Sequence, residues 1–582
     1  VFDVIRFLLH VAFLLDGNPL FSSAVSGPGA KPPWKEEPLP PAGRPYHLLF
    51  FSMIISQNES PLHLARETLM VYSGFRADIA LAGDKIAEIG DLKNESALKI
   101  IDASALAIAP GFIDAHSHGD LGILINPQAE SKIRQGITTM VAGNCGSSPF
   151  PLRGKALEET RDDMAKYDIT VDWDSAAGYY ARVEAAQPAV NFSSLVGQGA
   201  IRASVMGELD IPADASFMDD MKNEVALAMD AGSIGISTGL IYTPGSFATE
   251  DEIAELAKVA ASKGGIYSSH IRGEGDSVIQ AIKEALAIGF KSGCPVQISH
   301  LKASAPRNWG KVKDAIALIE KAESDGLNVW FDKYPYTAGS TGLNTYLPRW
   351  SVGQGVDKLM EFLQDPVKRS QIFKEANDEN EGEKKWESVI IISAESDKYR
   401  PYEGKNIFEI AQLTNQTIED AFCDLLFQSR SRADIVCFTQ SQDDTDLALE
   451  HRLGLVCTDS GIWAPYGPLS AIKPHPRAYG TFPRFFRQYV KEKKSLTREE
   501  AVKKATHLAA ERLGFSKRGQ IKKDYFADIV LMDWERINDT ATYTEPHRYP
   551  EGIEGVIVNG ALTIWRGEPT GLRAGRVLKR NS

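Results

Sequence analysis

Eight short β-rich runs recur along residues 109–459, and stretches of helical periodicity separate most of them. The runs occupy 109–115, 137–142, 190–196, 234–238, 265–270, 295–300, 329–334 and 455–459. Between them lie segments such as 251–264 (DEIAELAKVAASKG) and 277–293 (SVIQAIKEALAIGFKSG). Both place apolar residues at i, i+3 and i+4 and end in glycine, the pattern of an amphipathic helix with its stop signal. Strands joined through helices pair in parallel, because a tight hairpin cannot make that crossover. Eight such units predict a (β/α)8 barrel of the TIM type, with its chemistry at the C-terminal ends of the strands. The competing arrangement is a doubly wound open sheet, which would gather its chemistry at one topological switch point.

The remaining residues predict appendages to this barrel. Residues 335–454 separate the seventh and eighth runs and are too many for a plain loop. They carry helical patterns (VDKLMEFLQ, FEIAQL, IEDAFCDLLFQS) and a strand-like VIIIS at 389–393. These predict an inserted α/β subdomain over 350–440. Outside the barrel, 77–90 (ADIALAGDKIAEIG) and 527–535 (ADIVLMDWE) open alike, and each is followed by further alternating runs. They predict one small β-sandwich built from both chain ends. The expected organisation is a leader and Pro-rich linker over 1–45, then the first part of the sandwich over 46–108. The first part of the barrel covers 109–349, the insert 350–440, the last part of the barrel 441–515, and the rest of the sandwich 516–582.

Residues 7–15 (FLLHVAFLL) follow Arg6 and precede the small residues Ala24 and Ser26, which resembles a signal peptide over 1–26. Asp3 and His10 depart from that pattern. The chain is expected to be cytoplasmic, or secreted if the segment is a signal peptide. This run and 48–55 (LLFFSMII) are both shorter than the roughly 20 residues of a membrane span, so no stable membrane insertion is expected. The formal charge is -13, from 64 Lys and Arg against 77 Asp and Glu. Such a surface repels phosphate backbones and argues against nucleic acid as a partner. Five cysteines in 582 residues cannot form a disulfide framework, and their odd number leaves at least one thiol free for a metal.

The possible metal donors stand where a barrel would gather them. His116 and His118 form an H-x-H at the end of the first run, and alternate residues on a strand point the same way. Cys145 ends the second run, His270 the fifth, His300 the sixth and Asp459 the eighth. Singly, each has a plainer reading as a small buried cysteine, a satisfied histidine or a helix N-cap. Together they place four of 11 histidines, a cysteine and an aspartate at one barrel mouth. Three His or Cys donors with an open position for water is the pattern of catalytic zinc.

The segments PGFIDAHSHGD, TTMVAGNCGSSP, GISTGLIYTPG, SSHIRGEG, ISHLKAS, DKYPYTAGST, TDS and HPRAYGTFPR, with the C-terminal VIVNGALTIWRGEPTGLRAGRVL, resemble the amidohydrolase superfamily. More closely, they resemble the N-acyl-D-amino-acid deacylases, or D-aminoacylases, over about residues 72–580. The resemblance implies a metal-dependent hydrolase barrel in which the Cys145 thiolate takes a bridging position. Cys145, His270 and His300 would then hold one zinc tightly. His116, His118 and Asp459 would form a second, weaker site. Asp459 would serve as catalytic base and then acid. Lys302, Tyr334, Ser340 and Arg477 would bind the free carboxylate of a small-molecule substrate, Arg477 through its two-pronged guanidinium.

The implied reaction is zinc-dependent hydrolysis of an N-acyl-D-amino acid to a D-amino acid and a carboxylate. Alternatives are hydrolysis of an N-acyl-D-Glu or D-Asp, a D-dipeptide or a cyclic imide, or a non-catalytic binding protein on the same scaffold. Segments 238–245 and 272–275 are expected to shape the mouth, with Arg272 and Glu274 read as a structural ion pair. Three features depart from the family. Gln198 stands in VGQGAI where a histidine is frequent; it can donate a hydrogen bond to a carbonyl but cannot titrate. LHLARETLMVYSG replaces the usual opening strand with its Gly-rich turn. Segment 461–474 (GIWAPYGPLSAIKP) is extra and reads as a lid.

Overall fold

The computed structural model describes residues 64–70, 75–378 and 382–580. The leader, the Pro-rich linker and the apolar run at 48–55 lie outside the described residues. Among those described, eight short parallel strands form a barrel. They are Phe112–Asp114, Ile137–Ala142, Asn191–Ser194, Gly235–Gly239, Ile266–His270, Val296–Ile298, Val329–Lys333 and Gly454–Val456. Each neighbours the next, and Val196–Gly197 continues the third strand to meet the fourth. The eighth returns to the first just beyond their ends. There Asp459 N donates to His116 O at 2.9 Å and His118 N to Ser460 O at 3.0 Å. This closure excludes the open sheet.

The outer helices follow their sequence signals. Glu250–Ser262 starts at Thr249, whose hydroxyl accepts from Glu252 N, and it buries Ile253, Leu256, Ala257 and Ala260 against the barrel. Val278–Ser292 stops at Gly293, which takes the left-handed conformation of a helix C-cap. No described helix is long and apolar enough to cross a membrane.

The first expected run divides in two. Ala107–Pro110 pairs with Ile529–Met532 outside the barrel, and only Phe112–Asp114 enters it. The chain changes sheet at Gly111, where a Cβ would collide with Thr138. The outer strands form one nine-stranded sheet from both chain ends. It folds back on itself, so that Ile86 N donates to Tyr525 O at 2.9 Å. Ile79, Leu81, Ile108, Ile529, Leu531 and Ile557 fill its interior. LHLARETLMVYSG does supply an opening strand, Leu64–Met70, antiparallel to Phe75–Ala82. At the other end, Asn559 and Gly560 both take positive φ between Ile553–Val558 and Ala561–Trp565, as an Asn-Gly hairpin turn requires.

The insert is a three-stranded antiparallel sheet of Gly339–Gly342, Ala433–Cys437 and Val389–Ala394. Helices Val356–Gln364, Pro366–Asp378, Ile407–Thr414 and Ile418–Gln428 accompany it around a core that includes Leu359, Trp386, Phe422 and Ile435. Its sheet begins at Gly339, ahead of the residue 350 expected from the sequence. The strand GSTG has no apolar alternation to signal it, and its pairing with residues 434–437 alone defines it.

Candidate metal and active site

The residues at the strand ends meet. His116 is fully buried just past the first strand, with Nε2 at 3.3 Å from His118 Nε2, 3.4 Å from Cys145 Sγ and 3.4 Å from Asp459 Oδ1. Cys145 Sγ also lies 3.6 Å from His300 Nε2, and His118 Nε2 lies 3.1 Å from Asp459 Oδ1. The rings of His270 and His300 meet edge to face at 4.4 Å. Three trios each hold their donor atoms within 4.8 Å of one another: His116, Cys145 and His300; His116, His118 and Asp459; His270, Glu274 and His300. Cys145, His300 and Asp459 all adopt positive φ. That conformation is uncommon for residues with a Cβ and clusters at functional sites. Here it turns each side chain sharply inward where the strand stops.

The charges show what this cluster suits. Burial alone would raise the Cys145 thiol, but the charge of His116 and its hydrogen bond, with His118 beside it, hold it well below its usual range. Burial would likewise raise Asp459, yet Arg477, then His300 and His116, keep its carboxyl well below the ordinary value. The imidazoles move the other way. Burial disfavours the charged form of His116, but Asp332 and Cys145 push it well up. A buried thiolate and carboxylates thus draw positive charge into the cavity. His270 adds an orphan: both of its ring nitrogens are buried without a hydrogen-bond partner among the described residues. Buried polar atoms of this kind call for a ligand. A thiolate, imidazoles and carboxylates are also the donors that zinc takes, so the residues fit that metal.

Two residues around the cluster were not singled out as metal or substrate residues from the sequence. Asp332, fully buried at the seventh strand, faces His116 Nδ1 at 3.3 Å and accepts from His300 N at 2.8 Å and Gln297 Nε2 at 2.6 Å. It is an outer carboxylate that orients a ligating histidine. Its signal was one acidic residue inside the apolar run VWFDK. Glu274 is the other. It does not pair with Arg272, which binds Glu284 at 2.8 Å and the carbonyls of Ser246 and Ala248. The chain has left the strand at His270, so residues two apart no longer share a face. Glu274 instead faces Lys302, His300 and His270.

A cavity of about 100 Å³ is lined by His118, Cys145, His270, His300 and Asp459, and also by Lys302, Tyr334, Ser340 and Arg477. The structure therefore brings both predicted sets together. Arg477 is 5% exposed, and its Nη1 donates to Asp459 Oδ2 at 2.7 Å. Its guanidinium also lies over the Tyr334 ring, 4.6 Å from the centroid. Its other edge is freer: Nη2 has a long contact of 3.4 Å with Ser340 O, and Nε has no partner among the described residues. The Tyr334 hydroxyl accepts from Gln440 Nε2 at 3.0 Å.

A larger space of about 750 Å³ shares His118, Cys145 and Tyr242 with this cavity and runs under Gly239–Ser246, beside Arg272. The extra segment borders the same mouth, where Trp463, Ile472 and Pro474 line a third space with Asp459 and Arg477. Gln198 does not join them. It begins the helix Gln198–Met206, and its Nε2 points to Glu252 Oε1 at 3.3 Å, beside the Arg202–Glu252 ion pair.

Residues 99–370 and 467–564 match the amidohydrolase family. A D-aminoacylase of Alcaligenes xylosoxydans xylosoxydans is 34% identical over 535 residues, covering 91% of this chain and 100% of the relative. The chain belongs to the amidohydrolase family. Within it, this amidohydrolase groups with the N-acyl-D-amino-acid deacylases. An N-acyl-D-glutamate deacylase of the same organism is 33% identical, with 87% of this chain and 93% of the relative covered. The N-acyl-D-glutamate deacylase of Bordetella bronchiseptica was solved with zinc and a phosphonate inhibitor that mimics the tetrahedral intermediate. It superposes with a TM-score of 0.74 at 31% identity, over 88% of this chain and 98% of that one.

Proposed function

We propose that this amidohydrolase cleaves the amide bond of N-acyl-D-amino acids, releasing a D-amino acid and a carboxylate such as acetate. One observation carries the reading: a single cavity is lined both by metal donors and by a cationic, hydroxyl-bearing set suited to a carboxylate. Cys145, His270 and His300 would hold one zinc ion, and His116, His118 and Asp459 a second, weaker one. Zinc supplies Lewis acidity toward an amide carbonyl and lowers the pKa of water toward about 7.

The chain's own residues do the rest. Asp459 is kept ionised by Arg477 and the imidazoles, so it can take a proton from the attacking water and later deliver it to the leaving nitrogen. Arg477 holds Asp459 with one nitrogen, and its other edge, with Nε unpartnered among the described residues and Nη2 in only a long contact, offers two parallel donors that would match the two oxygens of a substrate carboxylate. Lys302 adds a second cation, and Tyr334 and Ser340 complete that end of the cavity. Asp332 keeps His116 oriented.

The test is a panel of N-acetyl D- and L-amino acids with the zinc-loaded protein. Turnover of D-isomers with little or none of the L-isomers is expected. Equal turnover of both, or of neither, would refute the reading.

A further inference from the structure

Three groups converge on one oxygen beside the metal cluster. Lys302 Nζ donates to Glu274 Oε1. His300 Nδ1 lies 3.1 Å from the same oxygen, and His270 Nε2 lies 3.7 Å from it. Lys302 Nζ is also 2.7 Å from His300 Nδ1. An ammonium has only donors, so the state of His300 depends on which partner takes its Nδ1. If Nδ1–H donates to Glu274, Nε2 keeps its lone pair toward Cys145 Sγ, 3.6 Å away, where a metal donor is needed. If Lys302 donates to Nδ1 instead, the neutral ring carries its proton on Nε2 and cannot ligate there.

Glu274 is held firmly enough to decide this. The Arg272 guanidinium anchors its loop on Glu284, Ser246 O and Ala248 O. Glu274 O accepts from Ser304 N at 2.6 Å, which ties that loop to the one carrying Lys302.

We infer that Glu274 is a positioning residue with two duties: it sets the ligating tautomer of His300, and it pins Lys302 at the carboxylate end of the cavity. The second duty rests on the deacylase reading; the first does not. Glu274 thereby links metal binding to substrate binding through one side chain.

The test compares wild type, Glu274→Gln, Glu274→Asp, Lys302→Met and the Glu274→Gln/Lys302→Met double variant as full-length protein. Zinc affinity is measured by competition with a chelator. Steady-state kinetics use the N-acetyl-D-amino acid that the panel shows to be turned over fastest, and its carboxamide, at saturating zinc. Glu274→Gln should weaken zinc binding by about 10–100-fold, the usual effect of losing an outer partner of a ligand, without lowering the saturating stoichiometry. It should also raise KM for the acid by about tenfold, a charged hydrogen bond's worth, and leave KM for the carboxamide nearly unchanged. On the Lys302→Met background Glu274→Gln should add no further rise in KM. Glu274→Asp should restore part of both properties.

Unchanged zinc affinity in Glu274→Gln would overturn the tautomer role. A lower saturating zinc stoichiometry in that variant would make Glu274 a ligand and overturn it equally. Additive KM effects in the double variant would overturn the Lys302 role. If the wild type cleaved no N-acetyl-D-amino acid of the panel, the deacylase reading would fall, and the Lys302 duty with it. The zinc measurement would still decide the other half.

Discussion

Replacing Arg477 with methionine separates two things this side chain does. Methionine keeps the buried apolar stem and removes the charge. In the structure the guanidinium donates to Asp459 Oδ2 at 2.7 Å from a site that is 5% exposed. Arg477 is also the largest of the charges that offset the effect of burial on the Asp459 carboxyl. A hydrogen bond to a charged group contributes about 1.5–3 kcal/mol. At about 1.4 kcal/mol per pKa unit, its loss should raise the Asp459 pKa by roughly one to two units.

The sign follows from the role of the group. Asp459 must be ionised to accept a proton, so a raised pKa moves the acid limb of the rate profile to higher pH. The assay is kcat/KM against pH for the N-acetyl-D-amino acid turned over fastest in the panel, which reports the free enzyme. Wild type, Arg477→Met and Asp459→Asn are compared, all loaded with zinc. The limb should rise by one to two pH units in Arg477→Met, while KM rises through loss of the carboxylate partner. Asp459→Asn should lack the limb altogether. A raised KM with the limb unmoved would show that the ion pair does not set the charge of Asp459, and the argument would fail there.

Other outcomes follow from the same geometry. Asp459→Asn should lower kcat by about 10²–10⁴-fold while the zinc held by Cys145, His270 and His300 remains; a near wild-type kcat would remove Asp459 from proton transfer. Cys145→Ala takes away the thiolate between the two histidine groups and should abolish tight zinc binding and turnover together. Metal analysis showing full zinc with full activity would contradict that. Gly111→Ala pushes a Cβ into Thr138 where the chain passes from the outer sheet to the barrel, and should cost about 1–3 kcal/mol of stability. An unchanged urea midpoint would show that the crossing has room to spare.

The periodicity of the sequence was enough for the barrel, because each strand and helix carries its own local signal. Thr249 and Gly293 mark helix ends in the chain itself, and Asn559-Gly560 marks a hairpin. The ligand candidates were legible for a related reason: a closed barrel gathers the C-terminal ends of its strands, so position along a strand already implies position in space. What the sequence did not contain was the partner of each charge. Arg272 and Glu274 sit two apart and invite pairing, yet the loop turns one toward Glu284 and the other toward Lys302 and His300. Gln198 stands where a site residue was expected, but its helix aims it at Glu252. Ser340 reaches the cavity through a four-residue strand that only its pairing with residues 434–437 defines. Hydrophobic periodicity is a property of neighbouring residues and can be read along the chain. The partner of a buried charge is chosen by desolvation and distance across the fold, and those exist only once the tertiary structure has formed.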